Sequence, residues 1–127
     1  MIDSSALVAM LQDEPERAAF VAKIAADPVR LLSAANYLEV AIVIDDRFGA
    51  AGARDMKLLL VEAAIRIMPV TVEHAELART AYRRFGRGNH PARLNFGDCF
   101  AYACARHFDV PLMFKGSDFP QTDIERA

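Results

Sequence analysis

The chain has 127 residues, 54% hydrophobic and 25% charged, with a net charge of -2. That balance excludes a disordered chain, and the length fits one domain that buries roughly two-thirds of its unfolded surface without disulfide staples. The longest uncharged runs fall far short of the ~20 residues that a bilayer crossing needs, and Asp3 directly after Met1-Ile2 argues against a secretory leader.

In chain order, Met1-Ile2 reads as a very short strand ending at Asp3. A helix is expected from Ala6 to about Gln12, and Pro15 fits the first turn of another that reaches about Ala26. Residues 29–32 form a strand, and Ser33 caps a helix from Ala34 to about Arg47, stopped by Gly49. A further helix covers about residues 51–64, residues 65–70 are strand-like, and Thr71 caps a helix over 72–85. Gly86, Gly88, Asn89 and Pro91 make 86–94 a loop. Asn95 opens a helix to about Phe108, residues 110–114 are the last strand, and 115–118 are a turn. Alternating strands and helices predict an α/β fold with a mostly parallel sheet in a single domain spanning 1–127. Cys99 and Cys104 are five apart on one expected helix, turned about 140° from each other, which disfavours a bridge and favours a reducing, cytoplasmic setting.

Ligands on parallel sheets bind beyond the carboxyl ends of the strands, and four acids collect there. Asp3 ends the first strand, Glu39 lies in the second turn of the helix after the second, Asp98 opens the helix leading to the last, and Asp118 follows that last strand. Glu39 has Ala35, Asn36, Ile42 and Val43 as its helical neighbours, with no cation among them. A carboxylate so placed needs a partner from elsewhere in the fold. Two carboxylates about 4 Å apart repel by roughly 4 kcal/mol at an effective dielectric of 20, so gathered acids either keep protons or take up a divalent cation. All-oxygen ligands point to Mg²⁺ or Mn²⁺, ions suited to phosphate chemistry. Plainer roles exist for the same residues: Asp3 is placed to cap the helix after it, Asn95 and Asp98 have capping-box spacing, and Asp118 lies in a Gly-Ser-Asp turn.

The segments Met1–Leu7, Ser33–Glu39, Leu94–Phe100 and Phe114–Phe119, with Thr122-Asp123-Ile124 near the end, together resemble VapC-type toxins of the PIN-domain nuclease family across essentially the whole chain. The resemblance implies a three-layer α/β/α domain and a Mg²⁺- or Mn²⁺-dependent endoribonuclease whose metal-site acids are Asp3, Glu39, Asp98 and Asp118. Ser4 and Ser5 follow the first acid, where the family carries hydroxyls that orient Asp3 or the substrate. A cognate VapB-type antitoxin and a VapC homodimer are also implied. The mechanism expected is in-line hydrolysis of an RNA phosphodiester by metal-activated water, and the competing reading is a non-catalytic RNA- or protein-binding module on the same scaffold.

RNA must also be held. Arg87, Arg93 and Lys115 are the cations expected to meet its backbone, whereas Arg83 and Arg84 finish a helix whose dipole they complement. His74, His90 and His107 lack ligand spacing, and both cysteines are expected to pack as small apolar groups. Val40, Ile44, Leu58, Leu60 and Val61 are expected to be mostly core, with any surplus apolar stripe left for a protein partner.

Overall fold

The computed structural model describes residues 1–127. Its helices are α1 (Ser4–Leu11), α2 (Arg17–Ala26), α3 (Ala34–Glu62), α4 (Val72–Phe85) and α5 (Phe96–His107), with a 3₁₀ turn at Phe119–Gln121. Two named strands, β1 (Leu31–Ser33) and β2 (Arg66–Met68), pair in parallel with Leu32 opposite Ile67. Single parallel bridges extend the sheet through Ile2–Met113 and Leu112–Arg126. The backbone carries it across: the Ile2 N–H donates to Leu31 O at 2.8 Å, Asp3 N–H to Met113 O at 2.9 Å, and Leu112 N–H to Glu125 O at 2.8 Å. Every pairing is parallel, as expected.

Side-chain alternation divides the core into two layers. Met1, Leu31, Leu112 and Phe114 face α4 and α5, where they pack with Ala81, Phe85, Tyr102 and Phe119. Their neighbours Ile2, Leu32 and Met113 face the other way, onto Leu7 of α1, Phe20 of α2, and Val40 and Ile44 of α3. Helices therefore cover both faces, which is the three-layer α/β/α arrangement. At Gly49, φ 57° and ψ -145° leave the helical region, so α3 is two helices joined across a kink: the first stops at that glycine, as expected, and the second runs on to Glu62. Other expectations move. Leu58 and Val61, expected in the core, are 55% and 78% exposed, because the half of α3 beyond Gly49 buries only the face of Gly52, Met56 and Leu60. Cys99 and Cys104 are buried free thiols, both pushed up to about 11 by burial.

Candidate active site

Each acid is positioned by the element that begins beside it. Asp3 caps α1: its Oδ2 accepts from the Ser5 N–H at 2.9 Å and from Ser5 Oγ at 2.5 Å. Ser5 Oγ in turn accepts from the Lys115 N–H at 2.9 Å, so the end of the 112–114 strand is tied to the start of α1 through Asp3. The other oxygen, Oδ1, is buried with no hydrogen-bond partner. Burial raises the Asp3 pKa most; the Ser5 bonds pull it down, and the charge of Glu39 pushes it further up.

Asp98 does double duty at α5. Its Oδ2 accepts from the Asn95 N–H at 2.9 Å while Asn95 Oδ1 accepts from the Asp98 N–H at 2.8 Å, a complete capping box. Both caps use Oδ2, so each fixes the carboxylate's orientation while committing only one of its oxygens. The Asp98 pKa is raised to about 6, first by burial and then by the fields of Asp3, Asp118 and Glu39, against the Asn95 N–H that favours the charged form. The acids from four separate segments therefore share one electrostatic environment, with no ready-made cage: no three His, Cys, Asp or Glu side chains already stand at ligand spacing.

Glu39 finds its partners outside its own sequence neighbourhood, with one exception. Ser4 Oγ donates to Glu39 Oε2, and Asn36, one turn earlier on α3, brings its Nδ2 to 3.4 Å from the same oxygen. That amide also donates to Ser4 Oγ at 3.0 Å and to Gly97 O at 3.1 Å, so a wholly buried Asn36 joins α1, α3 and α5. A Cβ on Gly97 would stand 2.5 Å from Glu39 Oε1 and 2.7 Å from its Cδ, so the acid lies where only glycine leaves room. Sequence reasoning assigned no role to Asn36 or Gly97. Their signals were present: a polar residue three before Glu39, and a glycine in the first turn of a helix, where it lowers helix stability by about 1 kcal/mol relative to Ala.

Asp118 is exposed and precedes the 3₁₀ turn without a side-chain capping bond. Arg87 and Arg93 are exposed. Lys115 requires a correction: its ammonium pairs with Glu14 and, at 3.1 Å, with Glu16. Those two carboxylates already match its charge, so it is not the free cation expected beside a phosphate. Arg84 is likewise engaged, at 3.0 Å from Asp123.

A sheet whose carboxyl edge gathers acids, oriented by serines, marks an acid-centred α/β domain, an arrangement of oxygen donors that suits a divalent ion. The PIN-domain model matches residues 1–125. Over 124 residues the chain is 52% identical to Ribonuclease VapC30 of Mycobacterium tuberculosis, covering 98% of this chain and 95% of that one. It is 50% identical to Ribonuclease VapC of Mycolicibacterium smegmatis, with coverage of 98% and 96%. The crystal structure of M. tuberculosis VapC20, titled a Sarcin-Ricin loop cleaving toxin, superimposes with a TM-score of 0.79 at 18% identity, covering 99% of this chain and 96% of that one, a likeness of fold. The chain belongs to the PIN-domain family, within its VapC-type ribonucleases.

Proposed function

We propose that this protein is the toxin of a VapBC-type pair, acting in the cytoplasm as a divalent-metal-dependent endoribonuclease through Asp3, Glu39, Asp98 and Asp118. The observation that carries this reading is the convergence of acids from separate segments: Asp3 keeps a buried, unpartnered Oδ1, and Glu39, held by Ser4 and Asn36, lies against Gly97 beside Asp98, whose pKa burial and the neighbouring acids raise to about 6. Clustered carboxylates of this kind are relieved by a dication. The donor set fits Mg²⁺ or Mn²⁺: it is all oxygen, and the buried, unpartnered Oδ1 of Asp3 is a lone pair awaiting a cation. Such an ion, when bound, acidifies water and offsets negative charge growing at phosphorus.

The chain's own groups do the rest. Ser5 and Asn95 lock the carboxylates of Asp3 and Asp98, and Ser4 with Asn36 locks Glu39, so little reorganisation is needed as charge develops. Asp118, on the exposed rim, completes the set. Arg87 and Arg93 hold the RNA backbone, and a VapB-type antitoxin and a homodimeric assembly fit the same reading.

Purified protein should cut single-stranded RNA with Mn²⁺ or Mg²⁺ and stop in EDTA, and more Mn²⁺ should be needed as pH falls below about 6, where Asp98 of the metal-free site takes up a proton that competes with the ion. Asp98→Asn keeps the cap's geometry and should lower cleavage by at least about 100-fold. Full activity in Asp98→Asn or in chelator, read on a labelled oligonucleotide, would overturn the proposal and leave a binding module.

A further inference from the structure

A groove of about 640 Å³ opens between α4 and the start of α5, within the size range of ordinary ligand clefts. It plays no part in holding the carboxylates, yet Asn95, which lines it, is the residue whose backbone and side chain cap Asp98. Its composition is unusual for a surface. Phe96 is 78% exposed although full burial of such a ring is worth roughly 1.5–3 kcal/mol. The ring stands edge-on to Phe100, with centroids 5.0 Å apart. Across the groove Tyr82 is 44% exposed. Its hydroxyl donates to Arg87 O at 3.2 Å, and its ring lies so close to Gly86 that a Cβ there would meet Cδ2 at 2.6 Å. Glycine thus lets the loop pin the ring in place.

Two guanidinium groups complete the walls. Arg87 makes no ion pair with any carboxylate, and Arg79 reaches Glu76 only at 3.6 Å, on the surface. Exposed rings held by their own scaffold, flanked by the unpaired Arg87 and the loosely paired Arg79 and contiguous with the acid cluster, match one chemistry. A nucleobase offers a flat apolar face, and its strand offers the anions.

We infer that this groove is a nucleobase subsite, in which an unpaired base next to the scissile phosphate stacks on Phe96 and Tyr82 while Arg87 and Arg79 meet the phosphates of its strand. The inference rests on the ribonuclease reading and narrows it. Bases in an A-form duplex are not free to enter, so the base that stacks here must be unpaired.

The test uses the full chain and a short single-stranded RNA carrying one 2-aminopurine, whose fluorescence falls on stacking, in EDTA so that the strand stays whole. Wild type should quench it, and Phe96→Ala and Tyr82→Ala should each weaken the quenching interaction by roughly 5- to 150-fold. Phe96→Tyr should restore it. In Mn²⁺ the alanine variants should lose cleavage on normal RNA and lose nothing further on RNA made abasic at that nucleotide. Arg87→Glu, on the exposed loop, gives a variant whose folding is not in question, and it should weaken binding with a flatter salt dependence. Unchanged affinity in these variants, or equal losses on abasic RNA, would overturn the subsite. So would a changed sedimentation coefficient in Phe96→Ala, which would assign the face to a second copy of the chain. Cleavage by wild type that the variants do not alter sinks the subsite alone. Quenching without any cleavage by wild type supports the subsite and sinks the catalytic reading.

Discussion

Gly97 has no side chain in a helical turn where alanine would ordinarily be preferred, because the Glu39 carboxylate occupies the space that a Cβ would take. Gly97→Ala therefore tests whether that placement matters. In an ordinary helix the change stabilises by about 1 kcal/mol; here the methyl drives Glu39 away from Ser4 and Asn36. Cleavage should fall by at least about tenfold while far-UV circular dichroism stays that of the wild type, and an unaltered rate would separate Glu39 from catalysis. The same residues show how far a sequence can be read. The Asn95–Asp98 cap was legible because capping is local, confined to four residues. Asp3 as a cap was legible for the same reason. The hydroxyl that answers Glu39 was not, since Ser4 lies 35 residues away and only the sheet brings it near. Lys115 misled for the converse reason: its neighbours in sequence are Phe114 and Gly116, but its neighbours in space are Glu14 and Glu16.

Among the elements, α4 and α5 pack as a pair whose joint near the start of α4 and the end of α5 is made of histidines. His74 is buried in the first turn of α4, with neither ring nitrogen hydrogen-bonded. It stands edge-on to His107 at 4.5 Å and to Phe108 at 6.0 Å, and His107 Nδ1 is 3.3 Å from Glu73 Oε1. Burial lowers the His74 pKa most, the His107 charge lowers it further, and the Pro69 backbone and Glu73 pull it back up. The unfolded chain therefore takes this proton first. Stability linked to His74 is full above about pH 6.5 and falls as pH drops toward the depressed native value, by at most about 1.4 kcal/mol per pH unit. His74→Leu should flatten the loss of stability between pH 7 and pH 5 in urea melts, and equal slopes in both proteins would refute the assignment. Helix positions were the readable part of the fold, since caps and apolar spacing announce them. The sheet was readable only in part. Its strands are three residues or single bridges, and the edge near Arg126 carries no apolar alternation to mark it.

For the molecule as a whole, the order of the sheet brings the last segment of the chain back beside the 112–114 strand, and Asp123 fastens it there. Its Oδ1 accepts from the Tyr102 hydroxyl at 2.6 Å, and its Oδ2 lies 3.0 Å from Arg84 Nη2 and 2.9 Å from Arg106 Nη2. One carboxylate thus joins the C-terminal segment to both α4 and α5. Despite the cost of its partial burial, the bonds from Tyr102, Arg106 and Arg84 hold the Asp123 pKa down to about 2, so the clamp stays charged at any pH where the protein works. Its contribution is lost only as pH falls below the ordinary carboxylate value toward that depressed one. The segment so held begins just after Asp118, which has no capping bond of its own to keep it at the rim of the acid cluster. Asp123→Ala removes three partners at once. With both guanidinium groups partly in solvent, the cost should be about 1–2 kcal/mol, seen as a lower midpoint in urea. Cleavage should drop several-fold through kcat, because Asp118 swings more freely, while RNA affinity set by Arg87 and Arg93 stays the same. A variant that melts early but turns over at the wild-type rate would show that Asp118 needs no such anchorage.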